Sequence, residues 1–129
     1  MSRLVLIVED SETCAETLAI ALELIPNVEV RSIHTSVAAM DFLNRRDSEI
    51  AAVVTDMNLP KNGNTAGDGL DLIRQIRAEP RFARLPIVLI SGDSDPRLGE
   101  RALAQGADAF FPKPYSPAAV RRKLEQLLC

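Results

Sequence analysis

A doubly wound α/β fold, with parallel strands covered on both faces by helices, is predicted by three observations. Short apolar runs of strand length alternate with segments whose apolar residues recur at helical spacing. The runs at residues 4–8 and 51–55 are almost wholly apolar or β-branched, as expected of strands buried on both faces. The 129 residues suffice for one such unit and are too few for two.

The first strand, residues 4–8, leads to Ala15, Leu18, Leu22 and Ile25 at helical spacing, until Pro26-Asn27 breaks the pattern. Residues 28–33 alternate, Val28, Val30 and Ser32 against Glu29, Arg31 and Ile33, which suits a strand near the sheet edge. A second helix follows over residues 36–46, with Val37, Met40 and Leu43 inward. Residues 51–55 form the third strand, and a long polar loop spans 60–68. Leu70, Ile73 and Ile76 mark a third helix, ended by Glu79-Pro80. The fourth strand, 86–90, runs into Ser91-Gly92. Asp95-Pro96 reads as cap and first residue of a fourth helix, and Gly106 suits its left-handed terminus. Residues 107–111 make a short fifth strand. Ser116-Pro117 repeats the cap-proline signature before a last helix with Val120, Leu124 and Leu127 inward. Strands alternating with helices in this way imply right-handed crossovers and a three-layer sandwich. Residues 1–129 read as one domain, without internal repeat, low-complexity tract or linker.

Hydrophobic residues make up 47% and charged residues 26% of the chain, an ordinary globular balance that excludes wholesale disorder. With 15 basic and 18 acidic residues the net charge is -3, which gives no electrostatic case for nucleic acid or an anionic membrane. No apolar run reaches the length of a membrane span, and Met1-Ser2-Arg3 leads straight into a strand, so neither a transmembrane helix nor a signal peptide is expected. Cys14 and Cys129 fit no metal spacing and read as reduced thiols of a cytoplasmic protein.

The chemistry concentrates at strand ends. In a parallel sheet the C-terminal ends open onto one edge, where ligands bind. Glu9-Asp10, Asp56 and Lys113-Pro114 each lie just past a strand run. With strand order 2-1-3-4-5 the first and third strands are neighbours flanking the switch point. Carboxylates gathered around one cation are costly unless something positive joins them, so the cluster calls for a divalent metal. The expected ion is Mg²⁺, which takes one or two carboxylates and accepts phosphate oxygens. As a pair at a helix start, Glu9-Asp10 also fits a purely structural role with the helix dipole. Asp56 follows Val53-Val54-Thr55 and precedes Met57-Asn58-Leu59-Pro60, so it is neither a cap nor an obvious turn residue. A carboxylate held there beside a metal is suited to attack phosphorus and form an aspartyl phosphate. Ser91 is suited to donate to a phosphoryl oxygen, but within Ser91-Gly92-Asp93 it also reads as a turn residue. Lys113 alone reads as a solvated lysine; its place between Pro112 and Pro114 favours an inward-pointing ammonium.

Over essentially the full chain the pattern resembles the response-regulator receiver domain of two-component signalling. The resemblance is carried by Glu9-Asp10, Asp56 with Pro60 beyond it, Asp68-Gly69, Ser91-Gly92, Gly106-Ala107 and Lys113-Pro114, in that order and spacing. It implies a flavodoxin-like (βα)5 sandwich with sheet order 2-1-3-4-5, of the single-domain chemotaxis or phosphorelay type. Asp56 is then the phosphorylated residue, acting with Ser91 and Lys113. Asp10, Asp56 and the backbone carbonyl of Asn58 would hold Mg²⁺, with Glu9 acting mainly through a metal-bound water. Ser91 and Phe110 would form the switch, and the Lys113-Pro114 bond would be cis. The implied partners are a sensor histidine kinase or histidine phosphotransfer protein and a downstream protein target met by the fourth helix, fifth strand and fifth helix. The implied protein is a monomer or weak homodimer, and no enzyme beyond catalysing its own phosphorylation and dephosphorylation.

This chain departs from the family pattern in places. Residues 61–68 lengthen the loop after the acceptor by about five residues. Phe110 lacks a hydroxyl, Pro112 is unexpected before Lys113, and Glu9 replaces the commoner aspartate. Asn58 and Asp93 occupy positions where the family tunes acyl-phosphate lifetime. Gly99 would weaken the fourth helix by about 1 kcal/mol relative to alanine, or merely relieve packing. Arg97, Arg101, Arg121, Arg122 and Lys123 form either a solvated or a docking surface.

Other readings compete. A phosphatase with an aspartate nucleophile wants a second carboxylate where Asn58 stands. A flavin carrier of the same fold needs a phosphate-cradling loop and aromatic residues, which are only 4% here. A phosphorylation-independent interaction module would not need Asp10, Asp56, Ser91 and Lys113 together. A receiver excised from a larger regulator or hybrid kinase is the second possibility beside the single-domain form.

Overall fold

A computed structural model describes residues 3–59, 68–93 and 95–128. Among these residues β1 (Arg3–Val8), β2 (Val28–Ile33), β3 (Ile50–Asp56), β4 (Ile87–Ser91) and β5 (Ala109–Pro112) alternate with helices. The helices are α1 (Glu12–Leu22), α2 (Ser36–Arg45), α3 (Gly69–Ala78), α4 (Leu98–Gln105) and α5 (Pro117–Leu128). The strands pair in parallel in the order β2-β1-β3-β4-β5, the doubly wound arrangement expected from the sequence.

Strand periodicity divides the interior in two. Leu4, Leu6 and Val8 of β1 face a core shared with α2, α3 and α4, while Val5 and Ile7 face one shared with α1 and α5. Burying each such side chain stabilises the fold by about 1.5–3 kcal/mol, which is what holds two helical layers on one sheet. β2 lies at the sheet edge and alternates between half-buried and exposed residues as its sequence does.

Some local expectations are corrected. Val37 is 52% exposed rather than inward. Ser36, Ala39 and Leu43 form the buried stripe, and Val37 lies about 100° around the helix from Ser36. Asp95-Pro96 does not start α4. The Asp95 carboxylate accepts from the Arg97 N–H at 2.9 Å, closing a turn on itself, and the helix begins at Leu98 without a side-chain cap. α1 ends at Leu22, well before Pro26, because tighter turns follow and Asn27 adopts φ 63°. β5 starts at Ala109, since Ala107 is spent on the end of α4 by donating to the Ala102 carbonyl at 2.9 Å. Gly106 does take the left-handed φ of 115° expected of it. The long loop with Pro60, and Cys129, lie outside the described residues.

Candidate functional site

Sheet register assembles the site. Val8 pairs with Thr55, so Glu9-Asp10 and Asp56 leave adjacent strands side by side. Ser91 pairs with Pro112 at the ends of β4 and β5, and the Lys113 N–H donates to the Ser91 carbonyl at 2.7 Å. Asp56 is the last residue of β3, beneath Met57, whose N–H donates to the Ile90 carbonyl at 2.8 Å. The Lys113-Pro114 bond is cis, as expected.

Gly69 packs more closely than its place in the sequence shows. A Cβ there would lie 2.5 Å from the Asp56 carbonyl oxygen, 2.8 Å from Leu89 Cδ1 and 2.9 Å from Met57 Cα. Only glycine lets α3 dock this close, with the Gly69 N–H donating to the Met57 carbonyl at 2.8 Å. In sequence it showed as a helix entry and an element of the family pattern after Asp68, whose carboxylate caps the Asp71 N–H at 2.9 Å.

The charge balance at the site is incomplete. Glu9 and Asp56 are each 5% exposed and Asp10 is exposed, yet one carboxylate oxygen from each lies within 4.8 Å of the others. Lys113 points inward, its Nζ 3.3 Å from Glu9 Oε1 and 3.3 Å from Asp56 Oδ1. The first contact is a hydrogen bond; the second is a charge pair without hydrogen-bond geometry. Glu9 Oε2 and Asp56 Oδ1 therefore stay buried without a hydrogen bond among the described residues. Burial, reinforced by the neighbouring Asp56, pushes the Glu9 carboxyl from 4.5 up to about 7. Burial works to lower Lys113, but Asp56 and Glu9 outweigh it and hold the ammonium above its ordinary value. Burial also raises Tyr115, which lines the small cavity behind Glu9 and Asp56 together with Cys14.

Hard oxygen donors, two of them buried without a hydrogen bond, suit a small divalent cation: Mg²⁺ fits these residues. Among the expected partners, Asn58 is exposed just past Asp56. Ser91 is fully buried and its Oγ accepts from the Asp93 N–H at 2.9 Å, so the turn role read from sequence is real. Phe110 packs against the core on the α4 side, and a Cβ on Gly99 would come within 3.2 Å of its ring, so Gly99 does relieve packing.

Comparison with known proteins agrees with this geometry. Residues 5–125 match the family model of the response regulator receiver domain. The chain belongs to that family. It is 27% identical over 123 residues to a chemotaxis protein CheY homolog of Campylobacter jejuni, covering 95% of this chain and 90% of that protein. Chemotaxis protein CheY1 of Helicobacter pylori is 28% identical, with 95% and 94% covered. Among solved structures, a putative response regulator from Chloroflexus aurantiacus superposes with a TM-score of 0.86 at 25% identity, over 99% of this chain and 98% of that one.

The receiver carries two further features at its rim. An open groove of about 650 Å³ lies beside Lys113, between Thr13, Cys14 and Thr17 of α1 and Tyr115 and Pro117. On α4 and α5, Arg101 pairs with Asp95 and Arg121 with Glu125. Arg97, Arg122 and Lys123 have no ion-pair partner among the described residues. No helix among those residues is long and apolar enough to cross a membrane.

Proposed function

We propose that this receiver accepts a phosphoryl group on Asp56 from a phosphohistidine of a sensor histidine kinase or histidine phosphotransfer protein. The observation that carries the reading is the pair of buried oxygens that receive no hydrogen bond among the described residues, Glu9 Oε2 and Asp56 Oδ1, beside the Lys113 ammonium. Asp10, Asp56 and the Asn58 carbonyl would hold Mg²⁺, with Glu9 contributing beside them. When bound, the ion neutralises charge on the transferred group.

The chain's own residues do the rest. The Asp56 carboxylate attacks phosphorus in line; an O–P bond forms as the P–N bond to histidine breaks, and the imidazole leaves with the electron pair. Lys113, already tethered by Glu9, pairs with a phosphoryl oxygen. Ser91 accepts from the Asp93 amide and keeps its own proton to donate. Inward movement of Ser91 and Phe110 then reshapes the α4-β5-α5 face, where Arg97, Arg122 and Lys123 would meet a downstream protein. Water reverses the phosphorylation in the same pocket, so the protein catalyses its own phosphorylation and dephosphorylation and no other reaction. The reading sets the chain in the cytoplasm, as a monomer or weak homodimer.

Amide chemical-shift mapping with beryllofluoride, an inert phosphoryl mimic, tests the reading. Mg²⁺-dependent changes are expected around Asp56, at Ser91 and Phe110, and along α4, β5 and α5. Binding without Mg²⁺, or changes confined to the ends of β1 and β3, would overturn it.

A further inference from the structure

The acid pair is held by a residue outside the site. Val8 pairs with Ile33 in the last rung of the β1–β2 ladder, and the Glu9 N–H donates to the Ile33 carbonyl at 2.9 Å. Beyond that rung the Glu9 carbonyl leaves the sheet. It does not go unpaired: His34 Nδ1 lies 3.0 Å from it. A carbonyl only accepts, so Nδ1 carries the ring proton and donates. An exposed imidazole thereby supplies the donor that the ladder lacks, and the Glu9 main chain is fixed on both sides.

The consequence falls on Asp10. Its carboxylate is exposed and receives no hydrogen bond among the described residues, so the plane of the Glu9–Asp10 peptide sets its direction. The His34 ring pins that plane through the Glu9 carbonyl. Glu9, nearly buried, hangs from the same main chain into the pocket it shares with Asp56.

We infer that His34 is a positioning residue, which sets the Glu9-Asp10 pair for binding a divalent cation by donating Nδ1–H to the Glu9 carbonyl. The inference rests on the proposed reading of the site, in which that cation is Mg²⁺.

Two isosteric substitutions separate this role from bulk. Asn Nδ2 occupies the place of His Nδ1, one bond beyond Cγ, and can donate to the same carbonyl; Leu has similar shape and no donor. Mg²⁺ binding is measured by calorimetry on wild type, His34→Asn and His34→Leu, with thermal melting in EDTA as the control for folding. His34→Leu should weaken Mg²⁺ by about three- to tenfold and His34→Asn by no more than about twofold, with similar EDTA melting for both. The chain has one histidine, so a long-range ¹⁵N spectrum reads its tautomer without ambiguity, and the Nδ1–H form is expected. Equal Mg²⁺ affinities for the Leu and Asn variants, or a dominant Nε2–H tautomer, would overturn the inference and leave the site reading intact. A wild type that takes up no Mg²⁺ would overturn the site reading itself, and this inference with it.

Discussion

Two charged clusters sit in the same fold and are built in opposite ways. At Arg77, 17% exposed, the charge is well bonded: the guanidinium donates to the Gly106 carbonyl at 3.0 and 2.8 Å, to the Phe82 carbonyl at 2.7 Å and to Asp108 at 3.1 Å. Asp108 in turn accepts from the Ile87 N–H at 2.8 Å. That knot ties α3, the 3-10 turn Pro80–Phe82, β4 and the end of α4 together. At the strand ends, by contrast, two buried carboxylates share one ammonium and keep two oxygens without a hydrogen bond among the described residues. Burying a charged group without full hydrogen bonding destabilises a fold, and that cost marks the second cluster as a candidate ligand site. The first cluster holds the structure; the second gathers like charges at the strand ends.

The sharpest way to break the contrast is at the acceptor. Asp56→Asn should abolish phosphoryl uptake and, by removing one of two like charges, stabilise the metal-free fold by about 1–2 kcal/mol in urea unfolding with EDTA. Arg77→Ala should do the reverse. It should cost about 3 kcal/mol of stability and leave Mg²⁺ affinity per folded molecule unchanged. Gly69→Ala bridges the two regions: its Cβ collides with the Asp56 backbone, so both stability, by about 2–4 kcal/mol, and Mg²⁺ affinity should fall.

A pH series sharpens the same contrast. The folded Glu9 carboxyl titrates near 7, above its unfolded 4.5, so its contribution to stability is present at low pH and lost as pH rises to about 7. In EDTA, wild type should lose stability relative to Glu9→Gln across that interval, by at most about 3 kcal/mol. With Mg²⁺ present the trend opposes it: the cation displaces the proton, and its apparent affinity should rise over the same range. The smallest effect is expected at Val37. Exposed as it is, Val37→Ser should change stability by less than about 0.5 kcal/mol, whereas a truly inward valine would cost more.

Much of this was legible in the sequence because it depends on periodicity and on strand ends. The continuous run from Leu4 to Val8 fixed a doubly covered strand, and the acids and Lys113 just past such runs had to meet at one edge. What escaped depends on distances that periodicity does not encode. The close approach of Gly69 to the Asp56 backbone is set by the docking of α3, and the bond from His34 to the Glu9 carbonyl by the point at which β2 leaves the sheet. Asp95-Pro96 misled because a carboxylate near a helix start can close its own turn instead of capping the helix. Val37 misled because a short helix with several apolar residues offers two nearly equal stripes.

The most direct measurement is intact-protein mass spectrometry after incubation with acetyl phosphate and Mg²⁺, beside Asp56→Asn and an EDTA control. One added phosphoryl group in the wild type, absent from both controls, is the expected result. Equal modification of Asp56→Asn, or a wild type that binds Mg²⁺ yet stays unmodified by acetyl phosphate and by phosphohistidine donors alike, would contradict the assignment of the incomplete cluster as a phosphoacceptor site.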